Sequence, residues 1–157
     1  MPFSYLYITN IYMRKRATYK GIYRPTNPKK YAGDPNNIVY RSNWERRFMR
    51  YCDLNDDIIY WASEEIAIPY ISPLDNRVHR YFPDFIIKTK HNKKFMIEIK
   101  PAKYTKAPKA PQKKTKAFMR ESVEFIRNMA KWKAAQKYCE DNNLEFKVFT
   151  EKELGVY

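Results

Sequence analysis

The chain has 157 residues, which is enough for one domain with a substantial hydrophobic core. Hydrophobic residues make up 44% of the sequence and aromatic residues 17%, so wholesale disorder is excluded. The formal net charge of +14 favours a polyanionic partner, and we expect nucleic acid before a membrane surface. No stretch approaches the roughly 20 apolar residues of a membrane span, and the amino terminus does not have a signal-peptide pattern.

Residues 1–40 read as an irregular basic arm. Prolines and polar residues favour an extended segment over a helix. Its basic residues have two interpretations, contact with phosphates or a solubilising tail, and the charge of the chain favours DNA contact. The candidate DNA-binding residues of this arm are Arg14, Lys15, Arg16 and Lys20.

A helix is predicted from Ser42-Asn43-Trp44-Glu45 to about Leu54. Trp44, Phe48, Tyr51 and Cys52 recur at helical spacing and should face a sheet. Ser42 and Glu45 have the spacing of a capping box, in which the two side chains bind each other's backbone N–H groups. This gives Glu45 a structural role.

Residues 58–63 are rich in β-formers, and three further segments, 64–71, 78–88 and 94–100, predict an antiparallel meander. Pro69 places the first of the three at an edge or a bulge. A basic loop follows at residues 101–117, then a helix over about 118–140 and a strand over 144–149, which should run parallel to a neighbour. The predicted fold is α/β, with a mixed sheet and an α-β-β-β-α-β core.

Alternation along the last hairpin fixes a register. If Phe85 pairs with Ile97, the apolar side chains of both strands share one face. The same register puts Asp84 opposite Glu98, with Lys100 two residues further on the same side. A slip by one residue would separate the two acids and would also split the apolar pairs between faces.

Neighbouring carboxylates repel, and they become favourable together when a hard divalent cation lies between them. Mg²⁺ binds through one or two carboxylates together with substrate phosphate, and a lysine beside it can stabilise developing negative charge. Asp84, Glu98 and Lys100 therefore predict a site for phosphodiester hydrolysis. The alternative is a solvated pair of charges, Glu98 and Lys100, on an outward strand face.

The loop 101–117 carries closely spaced lysines and three prolines, has no apolar period, and reads as a mobile segment that leaves the candidate site. We expect it to grip the nucleic-acid backbone, and the alternative is a solvated linker. Its candidate DNA-binding residues are Lys103, Lys106, Lys109, Lys113 and Lys114.

The two cysteines, Cys52 and Cys139, lie in helical stretches without zinc-ligand spacing, and His79 and His91 also lack a ligand partner. We predict buried, reduced thiols, as in intracellular proteins. No zinc site is expected.

Pro83-Asp84 followed by Glu98-Ile99-Lys100 resembles the motif of the PD-(D/E)xK nuclease superfamily. The resemblance implies that Asp84 and Glu98 hold the metal, that the Ile99 carbonyl joins them, and that Lys100 assists the attack. In these nucleases a glutamate on the helix before the core strands often completes the metal or water site. Glu45 therefore has a second possible role beside capping.

Longer stretches resemble the head completion proteins of T-even-like tailed phages, which are relatives of TnsA-type transposase endonucleases. The stretches are Arg41-Ser42-Asn43-Trp44-Glu45, Trp61-Ala62-Ser63-Glu64-Glu65-Ile66, Tyr70 with Pro73, His79-Arg80-Tyr81-Phe82-Pro83-Asp84-Phe85 and Ile97-Glu98-Ile99-Lys100-Pro101. This resemblance implies a small phage nuclease in the host cytoplasm or the virion, with capsid or portal proteins as possible partners.

These observations together predict a basic arm at 1–40 and a nuclease domain at 41–157. We expect a Mg²⁺-dependent DNA endonuclease, with Mn²⁺ as a possible substitute, that contacts the backbone without reading bases. Double-strand cleavage would need two active sites, so a homodimer is one possibility. The alternative function is a non-enzymatic virion protein that binds DNA ends or the portal region.

Overall fold

The computed structural model describes residues 20–155. Its strands are β1 (Gly21–Tyr23), β2 (Ile38–Tyr40), β3 (Ile58–Ser63), β4 (Ile68–Ile71), β5 (Val78–Tyr81), β6 (Phe85–Thr89), β7 (Lys94–Ile99) and β8 (Glu145–Phe149). Its helices are α1 (Asn43–Leu54), α2 (Lys116–Asp141) and α3 (Glu151–Leu154), with 3-10 turns at Pro28–Lys30 and Ala102–Tyr104. No helix in this part of the chain is both long and apolar enough to cross a membrane.

The main sheet has the strand order β3-β6-β7-β8. β3, β6 and β7 are antiparallel neighbours, and β8 lies parallel to β7 after the crossover through α2. This confirms the predicted α/β fold with a mixed sheet, because α1, β3, β6, β7, α2 and β8 form an α-β-β-β-α-β series. The hairpin β4–β5 is inserted into that series as a separate two-stranded sheet.

The predicted meander is confirmed only in part: segments 64–71 and 78–88 do pair antiparallel, as β4 with β5, but this hairpin is not part of the main sheet. Residues 58–63, rather than 64–71, pair with β6, and the predicted strand 78–88 is divided into β5 and β6. The chain leaves the main sheet after Ser63, where Glu64 has a positive φ of 54°. It returns through Phe82-Pro83-Asp84, where proline has no N–H to give to a ladder.

The register predicted for β6 and β7 is confirmed. Phe85 pairs with Ile97 and Ile87 with Phe95. These four side chains are buried in a first hydrophobic cluster with Phe48 of α1. Met96, on the opposite face of β7, belongs to a second cluster with Trp132, Ala135 and Cys139 of α2 and with Tyr70 and Tyr81 of the inserted hairpin. Both faces of the sheet are therefore covered.

Part of the segment that was predicted as irregular has regular structure. β1 and β2 are antiparallel partners, and Tyr31, Ile38 and Tyr40 are buried in the first cluster. Residues 20–40 thus contribute to the core. Residues 1–19, including Arg14, Lys15 and Arg16, lie outside the described residues, and the division of the chain at residue 40 stays a prediction.

The stripe predicted to face the sheet on the long helix is confirmed only in part; it consists of Met119, Val123, Ile126, Ala130, Ala134 and Tyr138, widened by Phe125, Met129 and Trp132. Trp132 is buried in the second cluster, and Met129, Ala130, Ala134 and Tyr138 pack against it. Met119 and Ile126 are exposed, and the buried residues Asn128, Ala135 and Cys139 lie outside the predicted set. A polar residue at a buried position is hidden from a search for apolar periodicity. Helix α1, in contrast, packs Phe48 and Cys52 into the first cluster as predicted, with Trp44 and Tyr51 partly buried against it.

Both cysteines are free and buried. Burial raises the pKa of Cys139 to about 11 and also raises the pKa of Cys52. These findings confirm the prediction of buried thiols without a disulfide.

Candidate active site

Asp84 and Glu98 meet where β6 begins and β7 ends. The pairing of Phe85 with Ile97 brings the preceding residue, Asp84, beside Glu98. Asp84 Oδ2 accepts a hydrogen bond from the Ile99 N–H at 2.8 Å. The Asp84 backbone lies close enough to the Glu98 carboxylate to lower its pKa. The Asp84 side chain is thus tied to the backbone of the strand that carries Glu98.

The two carboxyl groups have limited access to water, since Glu98 is buried and Asp84 is half-buried. Burial is the main reason that the pKa of Asp84 lies well above its ordinary value, and the charge of Glu98 raises it further. Burial also raises the pKa of Glu98, against the lowering effects of its hydrogen bond from Tyr81 and the charges of Lys100 and Lys131. A nearby cation would favour the charged form of both acids.

Lys100 stands on the same face of the chain as Glu98, two residues further along. Its side chain is 22% exposed, and its Nζ lies 4.0 Å from Glu124 Oε1 on α2. Glu124 also accepts a 2.8 Å hydrogen bond from Arg127. Lys100 is therefore held at the edge of the acid pair by a carboxylate that it shares with an arginine.

Glu45 is engaged at the start of its own helix. Its backbone N–H donates to the Ser42 hydroxyl, its Oε1 accepts from that hydroxyl at 3.0 Å, and its Oε2 accepts from the Arg41 N–H at 2.8 Å. This resembles a capping box, except that the backbone donor is Arg41 rather than the cap residue. Glu45 still lies within electrostatic range of Asp84, whose pKa it raises. A metal-binding role for Glu45 stays a prediction.

The sequence analysis missed Glu64 as a neighbour of the acid pair. Its N–H donates to the Asp84 carbonyl at 3.3 Å, and its charge raises the pKa of both Asp84 and Glu45. Arg41 pairs with it through two contacts of 3.2 Å. Its signals in the sequence are its position at the end of the β-rich stretch 58–63 and its place in the resembling stretch 61–66.

Tyr81 and Lys131 were also missed. The Tyr81 hydroxyl donates to Glu98 Oε2, and Lys131 Nζ lies 5.7 Å from the centroid of the Tyr81 ring. In one continuous strand from 78 to 88, alternation would put Tyr81 on the face of Phe85. The break at 82–84 moves Tyr81 to the opposite face, where it reaches Glu98.

The two acids suit Mg²⁺ better than they suit a metal ion that is bound by protein ligands alone. Within residues 20–155, no three His, Cys, Asp or Glu side chains converge as a metal-binding group. Mg²⁺ usually keeps several waters and binds through one or two carboxylates and substrate phosphates. Two adjacent carboxylates, Glu98 buried and Asp84 half-buried, whose pKa values are raised by burial and, for Asp84, by the charge of Glu98, fit that chemistry. The Ile99 N–H places its backbone at the Asp84 carboxylate, and a role for the Ile99 carbonyl stays a prediction.

The described candidate DNA-binding lysines are all exposed: Lys20, Lys103, Lys106, Lys109, Lys113 and Lys114. None of them forms an ion pair with a residue of the described part. Lys103 lies over the ring of the adjacent Tyr104, with Nζ 4.5 Å from the centroid. The loop begins directly after Lys100, so its five candidate lysines follow the acid pair closely in the chain.

The α/β architecture with a mixed sheet is consistent with a restriction-endonuclease-like fold. The profile of the family described as "TnsA-like endonuclease N terminal" matches residues 55–151, and the chain belongs to this family. The chain is also 42% identical over 140 residues to the "Head completion nuclease" of Enterobacteria phage T4. That alignment covers 87% of this chain and 93% of the relative. The suspected resemblance to this nuclease group is confirmed.

Proposed function

We propose that the protein is a Mg²⁺-dependent DNA endonuclease that hydrolyses phosphodiester bonds at an active site containing Asp84 and Glu98. The observation that supports this proposal is the close approach of the two acids across β6 and β7, where Asp84 Oδ2 accepts from the Ile99 N–H and each of the two groups acts on the pKa of the other. Like charges so close are a cost to the fold unless something positive joins them. Membership of an endonuclease family supplies independent support.

In this proposal Asp84 and Glu98 hold the metal ion, with Mn²⁺ able to replace Mg²⁺. When bound, the ion supplies polarisation of the scissile phosphate and a lowered pKa for a water molecule. Lys100 offers a point charge to the phosphate oxygens as negative charge builds up on them. Glu124 restrains the Lys100 ammonium at the edge of the site, and Glu45 supports the metal or its water.

In this proposal the DNA backbone is contacted by basic residues of the loop after the site and of the amino-terminal arm. Lys103, Lys106, Lys109, Lys113 and Lys114 follow Lys100 directly in the chain, and Arg14, Lys15, Arg16 and Lys20 belong to the amino-terminal arm. Such contacts position a duplex without reading its sequence. Cleavage is therefore governed by DNA structure or by DNA ends, and binding weakens steeply as salt rises.

The biological role that we propose is nucleolytic processing of DNA during phage head completion. It follows from the similarity to the T4 head completion nuclease over most of both chains. The protein then acts in the infected host cell or in the virion, beside capsid or portal proteins. Two copies acting together would cut both strands of a duplex.

Cleavage of supercoiled plasmid and linear DNA in Mg²⁺ or Mn²⁺ tests this function. We expect Asp84→Asn and Lys100→Met each to reduce the rate at least about 100-fold, because each removes charge at the reacting phosphate. The matched controls are Asp75→Asn, at the exposed turn of the inserted hairpin, and Lys133→Met, on the exposed face of α2. Both should cut like the parent chain, and EDTA should stop all cleavage.

Binding without cleavage in every metal would contradict the proposal. That result, obtained with folded protein, would support a non-enzymatic virion protein that holds DNA ends. Cleavage that survives Asp84→Asn would also contradict the assignment of the site.

A further inference from the structure

We propose that Tyr81 is a positioning residue that fixes the Glu98 carboxylate for the cation, and this inference rests on the proposed function. The Tyr81 hydroxyl donates to Glu98 Oε2. Tyr81 is 4% exposed and Glu98 is 8% exposed, so water has little access to either group. Tyr81 does not itself touch the reacting atoms.

The inserted hairpin fixes the position of the Tyr81 hydroxyl. Tyr81 is the last residue of β5 and pairs with Ile68 of β4. Its ring lies in the second hydrophobic cluster with Ile68, Tyr70, Met96 and Trp132. A side chain packed on several sides has few rotamers, and its hydroxyl therefore stays in one place.

The contact leaves Glu98 able to bind a cation. An ionised carboxylate offers about four lone-pair positions. The Tyr81 hydroxyl takes one of them and leaves room for metal coordination. This donor is neutral, so the carboxylate keeps its negative charge. A lysine in the same position would neutralise that charge.

Glu98 has competing partners if the hydroxyl is lost. Three rotatable bonds separate its carboxylate from the backbone, and the charges of Lys100 and Lys131 both act on it. Repulsion from Asp84 also pushes the carboxylate away from the shared site. The Tyr81 hydroxyl opposes this rotation, as hydrogen-bonded supports of metal ligands do in general.

Tyr81→Phe removes the hydroxyl and keeps the ring. We expect Mn²⁺ affinity, measured by calorimetry without DNA, to fall about 10- to 100-fold, which is the usual effect of losing a support of a metal ligand. The half-saturating Mn²⁺ concentration in DNA cleavage should rise by the same factor. Affinity for DNA in EDTA should not change, because Tyr81 is buried.

The matched control is Tyr70→Phe. Tyr70 lies on the same hairpin and in the same cluster and is 8% exposed. This variant should bind Mn²⁺ like the parent chain, and circular dichroism and the urea midpoint should show that both variants are folded. A Tyr81→Phe protein with parental Mn²⁺ affinity overturns this inference, as does an equal loss in Tyr70→Phe.

The outcomes separate this inference from the proposed function. If the parent protein cuts DNA and binds Mn²⁺ and Tyr81→Phe behaves in the same way, the proposed nuclease function is supported and the role of Tyr81 is contradicted. If the parent protein neither binds Mn²⁺ nor cuts DNA, both proposals are contradicted.

Discussion

Asp53, at the end of α1, joins this helix to the segment after β1. Its Oδ2 accepts from the Tyr23 hydroxyl at 2.9 Å and the Thr26 N–H at 2.7 Å, and its Oδ1 accepts from the Asn27 N–H at 2.9 Å. Asp53 is fully buried. Lys30 Nζ donates to its carbonyl at 3.0 Å. The buried side chain of Asp53 thus holds residues 23–27 on the core, and its backbone carbonyl holds Lys30.

Asp53→Ala should lower the free energy of unfolding by about 3 kcal/mol, because it leaves several buried donors without an acceptor. Urea denaturation followed by circular dichroism measures the change. Asp56→Ala, three residues away and exposed, is the matched control and should leave the free energy nearly unchanged. Equal stability of the two variants would show that residues 23–27 are held by other contacts.

Among the elements, α2 and the loop before it differ in where they place their charged side chains. Helix α2 places Glu124 beside Lys100 and Lys131 near Glu98, and it packs Trp132 and Cys139 in the cluster of Met96. The loop at residues 105–115 has neither helix nor strand and exposes its lysines to solvent. The helix therefore organises the site, and the loop is free to meet a ligand.

Lys106→Gln with Lys109→Gln should weaken DNA binding and reduce the slope of log affinity against log salt by about 1.8, since each phosphate contact contributes about 0.9. Fluorescence anisotropy in EDTA between 50 and 200 mM salt, roughly the range over which such contacts are titrated, measures the slope. The matched control, Lys133→Gln with Lys137→Gln on α2, removes the same charge. If both pairs change the slope equally, the loop has no special role and only net charge matters.

At the scale of the whole molecule, the two hydrophobic clusters share one sheet. β7 contributes Ile97 to the first cluster and Met96 to the second. Trp61 is buried in the first cluster and Trp132 in the second, so tryptophan fluorescence reports on both faces. A strand common to both layers should make them unfold together.

Met96→Ala should lower the free energy of unfolding by about 2–5 kcal/mol, because Met96 is fully buried and its loss leaves a cavity. Fluorescence and far-ultraviolet circular dichroism should show one coincident transition in urea, shifted equally for both probes. Met119→Ala is the matched control, since Met119 is 51% exposed. Separate transitions for the two probes would show that the layers fold independently.

The sequence by itself determined the β6–β7 register and the proximity of Asp84 to Glu98, because a one-residue slip would have moved every apolar side chain to the wrong face. It also determined that α1 packs Phe48 and Cys52 on the sheet. These features follow from local alternation and helical periodicity, which short windows of sequence contain.

Only the tertiary structure decided which strand pairs with β6, which face of α2 is buried, and which side chains support the acids. Residues 64–71 have strand composition in either arrangement, and the break at Pro83 changes the face of Tyr81 without a trace in periodicity. Asn128, buried at a position that periodicity assigns to apolar residues, and Glu64 depend on contacts between distant segments. Such contacts arise from long-range packing, so they become visible only when the elements are assembled.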